Sequence, residues 1–139
     1  MATNSQHSIR YARTREAHKM ELAEDYVEVI LDLTEEEGEA RMTEIANRLG
    51  VAHPTVAKAL RRLESNGLVN LRPYRSLTLT TTGKELAVKC RSRHKAVVAF
   101  LIALGLDEVT ADSEAEGIEH HVGERTIQLM RDFAESRVN

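Results

Sequence analysis

The spacing of apolar residues changes character several times along this chain, and each change predicts an element. Leu22, Tyr26, Val29, Ile30 and Leu33 recur at three- and four-residue steps, which predicts an amphipathic helix from about Arg15. TEEEG at 34–38 ends it, with Gly38 as C-terminal cap. Residues 1–14 are polar, carry no apolar period and read as a mobile arm. Thr43 to Leu49 forms a short helix with Ile45, Ala46 and Leu49 inward, closed by Gly50. A second helix opens at His53-Pro54, buries Val56, Leu60 and Leu63, and ends at Asn66-Gly67. Helix, glycine-containing turn, helix is a helix-turn-helix. LVNLR (68–72) and SLTLTT (76–81) then alternate in character around PYRS, a β-hairpin pattern with a basic, aromatic tip. The two motifs in succession predict a winged helix.

Thr82-Gly83-Lys84-Glu85 offers a capping box for a helix through Cys90 and His94. It leads into AVVAFLIAL at 96–104, a segment apolar on nearly every side and best buried against a partner. Gly105 breaks it, and helices near 108–121 and 124–137 follow. The expectation is a mostly α protein: an arm at 1–14, a winged-helix DNA-binding domain at 15–82 and a helical dimerisation and metal-binding domain at 83–139. A homodimer is expected, because two-fold proteins reading two-fold DNA sites are the usual arrangement for helix-turn-helix modules.

Composition narrows the class. The longest apolar run is too short to span a bilayer, and the N-terminus lacks the apolar segment of a secretory signal. The single cysteine, Cys90, excludes an internal disulfide and suits a reducing cytoplasm. A net charge of −3 argues against a nucleic-acid partner until it is divided along the chain. Residues 1–40 carry −6, residues 41–95 carry +9 and residues 96–139 carry −6. A basic middle suits phosphate, and acidic ends suit a cation. For double-stranded DNA the major-groove candidates are His53, Pro54, Thr55 and Lys58, at the leading end of the second helix. Arg61, Arg62, Arg72 and Arg75 are placed for phosphates.

The cation candidates centre on EAEGIEHH, residues 114–121. On a helix Glu116, Glu119 and His120 share one face, whereas His121 points away and outward. Asp25 and Glu28, in EDYVE, lie beside the apolar seam of the first helix, and His94 sits on the middle helix. Asp25, Glu28, His94, Glu116, Glu119 and His120 make a carboxylate-rich set whose four acids two divalent cations would balance. Taken alone, Asp25 with Glu28 reads first as a solvated helix face, and His94 as a surface or hydrogen-bonded histidine. Cys90 with His94, at i, i+4, is a pair for a softer metal, ranked below a packed cysteine.

EDYVE, GVAHPTVAKALRRLESNGLV, the wing, RH at 93–94 and EGIEHH, in order over residues 16–137, resemble the manganese branch of the diphtheria-toxin-repressor family. The resemblance implies a winged-helix domain joined to a helical dimerisation domain with metal between them. It implies ligand roles for Asp25, Glu28, His94, Glu116, Glu119 and His120, with Glu116 and Glu119 shared by two Mn(II) ions per chain. It also implies palindromic operators of manganese-uptake genes, repressed when manganese is plentiful. Iron-responsive relatives carry methionine where Asp25 stands and cysteine where Glu116 stands. Of their second site His94 is retained, but Val98 and Asp112 occupy other ligand positions. Two readings compete: a winged-helix regulator sensing iron or an organic ligand, and, remotely, a metal-dependent hydrolase. The hydrolase lacks any sign of a nucleophile, phosphate loop or lid, and leaves the basic winged helix unexplained, so an enzyme is not expected.

Overall fold

A computed structural model describes residues 3–72 and 77–138. The elements in chain order are α1 (Asn4–Glu37), α2 (Met42–Leu49), α3 (His53–Ser65), β1 (Val69–Asn70), β2 (Thr78–Leu79), α4 (Thr81–Leu104), α5 (Glu108–Ile118) and α6 (Glu124–Ser136). They form two compact units, Leu22–Lys89 and the combination of Met1–Glu21 with Cys90–Asn139.

The Leu22–Lys89 unit is the winged helix. Tyr26, Val27, Ile30, Leu31 and Leu33 are the buried side of α1, joined by Ile45 and Ala46 of α2 and Val56, Leu60 and Leu63 of α3. The α1 face is turned slightly from the expected one: Leu22 is 53% exposed, and Val27 and Leu31 enter the core. Gly50 closes α2 with φ +67 and sends its N–H to the carbonyl of Ala46, a left-handed cap that glycine adopts without strain. Pro54 opens α3, where its missing N–H costs nothing. The wing pairs Val69 with Leu79 and Asn70 with Thr78, antiparallel, and Ala40 bridges to Leu77. Its tip at 73–76, with Tyr74 and Arg75, lies outside the described residues.

The start of α4 differs from the expectation. Its cap is Thr80, whose hydroxyl accepts from the N–H of Gly83 at 3.0 Å and donates to the carbonyl of Gly67 at 2.6 Å. The Thr80 N–H also donates to the carbonyl of Leu68. Thr80 thus joins the helix start to the wing, an advantage that Thr82, inside the first turn, cannot offer. Gly83 is needed there for space, since a Cβ would sit 2.0 Å from the Leu68 carbonyl oxygen.

In the other unit, Ala96, Val97 and Leu101 of α4 pack with Ala111 and Ala115 of α5 and Ile127 of α6. Phe100 and Phe133 meet edge to face, 5.4 Å between centroids. AVVAFLIAL therefore buries one side within its own unit and leaves Ile102 and Leu104 exposed. Residues 4–14, read as a mobile arm, are helical and belong to α1. The reason is local: Thr3 and Gln6 form a reciprocal capping box, Gln6 N–H to Thr3 Oγ1 and Thr3 N–H to Gln6 Oε1. No glycine or proline interrupts residues 3–37 thereafter.

Candidate metal centre

The side chains of EAEGIEHH are aimed by the way α5 begins and ends. Asp107 caps its N-terminus, accepting from the Thr110 N–H at 3.1 Å. Ala111 and Ala115, fully buried, have no bulk to hold α5 away from α4. The helix closes at Ile118, but Glu119 keeps helical geometry and bonds to the Ala115 carbonyl, so the i, i+3 relation to Glu116 survives the helix end.

Four predicted ligands converge within this one unit. His94, on α4, sets Nδ1 2.6 Å from Glu119 Oε2 and 3.5 Å from Glu116 Oε1. His120 Nε2 is 3.3 Å from Glu119 Oε1 and 3.8 Å from Glu116 Oε2. Glu119 is 1% exposed and His120 6%, the two buried polar residues among those described. Glu119 Oε1 is buried and makes no hydrogen bond among the described residues. A buried carboxylate oxygen without a hydrogen bond is costly, and a cation would compensate it more fully than the His120 imidazole 3.3 Å away. One ligand atom each from His94, Glu116 and Glu119 lies within 4.8 Å of the others, close enough for one ion at bond lengths of about 2.0–2.4 Å. The donors are oxygen and imidazole nitrogen, without sulfur. Cys90 is buried, and the clusters able to share an ion among the described residues do not include it.

The electrostatics prepare these groups for a positive charge. The Glu119 hydrogen bond raises the pKa of His94 to about 9; burial opposes it, and Asp112 adds to it. Burial pushes Glu119 upward, His94 pulls it back, and the charge of Glu116 pushes it up again. The two acids that raise the His94 pKa thus favour positive charge on this imidazole.

Asp25 and Glu28, the remaining predicted ligands, stand half-buried one turn apart on α1, in the Leu22–Lys89 unit. Three features escaped the sequence reading. Asp112 Oδ1 lies 2.7 Å from His94 Nε2, taking the imidazole nitrogen that Glu119 leaves. Arg93 donates to the carbonyls of Glu119 and Val122 and to the Glu124 carboxylate, tying down the turn that carries Glu119 and His120. His121, read as outward, faces Glu21 of α1. The RH pair in the sequence marks Arg93 without giving its role. The other two pairings span distances no local pattern records.

On the winged helix, His53, Pro54, Thr55, Lys58, Arg61, Arg62 and Arg72 are all exposed. His53 Nε2 meets Thr43 Oγ1 at 3.1 Å, joining the start of α3 to α2. Arg75 lies outside the described residues. No helix among the described residues is long and apolar enough to cross a membrane.

Comparisons with known proteins agree with this division of labour. The transcriptional regulator MntR of Escherichia coli O157:H7 is 45% identical over 135 residues, covering 97% of this chain and 87% of its own. The MntR regulator of Bacillus subtilis is 36% identical over 112 residues, covering 81% and 79%. A manganese-dependent transcriptional repressor solved with manganese superposes with a TM-score of 0.74 at 30% identity, covering 81% of this chain and 52% of that one. The manganese regulator SloR gives a TM-score of 0.73 at 26% identity, covering 81% and 53%. The chain thus spans about half the length of these two solved relatives. Residues 18–77 match the N-terminal DNA-binding domain of iron-dependent repressors, and residues 80–137 match their metal-binding and dimerisation domain. The chain belongs to the iron-dependent repressor family, also called the diphtheria-toxin-repressor family, whose members are metal-responsive transcriptional repressors and not enzymes.

Proposed function

We propose that this protein is a manganese-responsive repressor that binds palindromic operators as a homodimer in the cytoplasm when Mn(II) is plentiful, and so turns down manganese uptake. The observation that carries the reading is the buried Glu119 carboxylate, with one oxygen on His94 and the other without a hydrogen bond. His94, Glu116, Glu119 and His120 would hold the metal, with Asp25 and Glu28 completing the set. Two ions per chain would balance the four carboxylates, Glu116 and Glu119 being shared. Bound there, Mn(II) supplies positive charge and coordination, with no reaction to perform.

The donor set favours manganese for a physical reason. Mn(II) is at the weak end of the divalent affinity series, so selection rests on ligand type and geometry. Oxygen-rich donors with imidazole and no thiolate suit a hard ion. Unneutralised, the carboxylates repel each other and resist being gathered. Their neutralisation favours the arrangement in which two recognition helices meet half-sites about one helical turn apart, or a multiple of that. His53, Pro54, Thr55 and Lys58 would then read bases, while Arg61, Arg62, Arg72 and Arg75 contact phosphates. The exposed Ile102 lines a groove of about 710 Å3 with Ala99, Ala103, Val138, Arg131 and Glu135, a mixed apolar and charged face that suits a second copy.

The test is capture of genomic fragments by the full-length protein. The reading expects a palindromic site retained with Mn(II) and released by chelator, with Glu119→Ala failing to retain it. Retention that ignores the chelator would overturn metal control.

A further inference from the structure

Glu21 is outside the six-residue ligand set, and the second histidine of EGIEHH has no part in it. The fold joins the two across 100 residues of sequence. His121 Nε2 lies 3.0 Å from Glu21 Oε2, and His18 Nδ1 lies 3.5 Å from the same oxygen. A carboxylate oxygen of Glu21 and a ring nitrogen of His120 are within 4.8 Å of each other. Along α1, Asp25 follows Glu21 by four residues, so the helix repeats a carboxylate one turn apart on one stripe.

We propose that Glu21 is a further metal ligand beside His120, and that His121 is the positioning residue that orients its carboxylate. This rests on the metal-sensor reading above. A carboxylate whose Oε2 accepts from an imidazole is held in one rotamer and presents Oε1 to an ion, the arrangement outer-shell hydrogen bonds impose on ligating carboxylates. A hard divalent ion taking about six oxygen-rich ligands accommodates one more carboxylate. The assignment also explains why EGIEHH ends in two histidines: His120 coordinates, and His121 holds the residue that coordinates beside it.

The experiment titrates Mn(II) into chelator-treated, full-length protein and follows free Mn(II) by EPR. The proteins are wild type, Glu21→Gln, His121→Leu, their double variant and Glu119→Ala. Glutamine keeps the size and the hydrogen-bond acceptor of Glu21 and removes its charge. Glu21→Gln is expected to weaken Mn(II) binding about 10- to 100-fold. The loss persists in about 1 M KCl, where the screening length of about 3 Å removes through-space attraction. His121→Leu weakens binding on its own and adds nothing in the Glu21→Gln background. A Glu21→Gln loss below about threefold, or one abolished by salt, overturns ligation by Glu21. Additive losses overturn the positioning role of His121. If wild type binds no Mn(II), or Glu119→Ala binds as wild type does, the sensor reading itself fails. If only Glu119→Ala is impaired, that reading stands and the Glu21 assignment falls.

Discussion

Manganese affinity should rise steeply with pH, and Asp112 should set where that rise occurs. His94 carries a pKa of about 9 because Glu119 and Asp112 take its two ring nitrogens. A ligating imidazole must be neutral, so loading the site at pH 7 displaces the His94 proton. Two pH units below that pKa, the proton costs about 2.7 kcal/mol, or roughly a hundredfold in apparent affinity. Between pH 6.5 and 8.5 the Kd for Mn(II) should fall about tenfold per unit, flattening as pH reaches the His94 pKa. Asp112 is exposed and outside the proposed ligand set. Asp112→Asn removes one of the two acids that hold the proton, so the variant should bind Mn(II) more tightly at pH 7 and with a shallower pH slope. The assay is calorimetric titration in buffers of different ionisation enthalpy, which counts protons released per ion. Release of about one proton per His94 is expected at pH 7. Release near zero, or a weaker Asp112→Asn, would refute the reasoning. The stability of chelator-treated protein should move the other way. A raised folded pKa stabilises fully below the unfolded value near 6.5, and that contribution is lost as pH rises through about 9.

Three further outcomes are expected. Gly83→Ala drives a methyl into the Leu68 carbonyl, 2.0 Å away, and disturbs the bond from Thr80. After the helix-propensity gain it should cost about 2–4 kcal/mol, read by urea denaturation; an unchanged or raised midpoint would contradict it. Glu116→Cys replaces a hard donor with a thiolate, so metal-dependent DNA binding should re-rank toward softer ions; an unchanged order would sink the ligand-softness argument. Arg61→Gln should weaken DNA binding similarly on every sequence and lower the slope of log affinity against log salt by about one. Sequence-selective loss in a competition assay would instead place Arg61 on a base.

The winged helix was legible because its signals are local. Gly50 permits a left-handed cap, Pro54 tolerates only an early helical position, and Val56, Leu60 and Leu63 keep helical spacing, so neighbours along the chain decide each feature. The same holds for the shared face of Glu116, Glu119 and His120. Two errors were also local. Thr3 with Gln6 is a capping box in a segment without apolar periodicity, and Thr80 outcompetes Thr82 because its hydroxyl also reaches the wing. Composition and order along the chain were enough to place a basic segment before an acidic, oxygen-rich candidate site. Tertiary structure alone decided how that site is charged and held. Burial of Glu119, the hydrogen bonds of His94 to Glu119 and Asp112, the grip of Arg93 on the α5–α6 turn and the meeting of Glu21 with His121 all depend on segments brought together from far apart. Desolvation and hydrogen-bond geometry act through space, and the spacing of residues along a chain does not contain them.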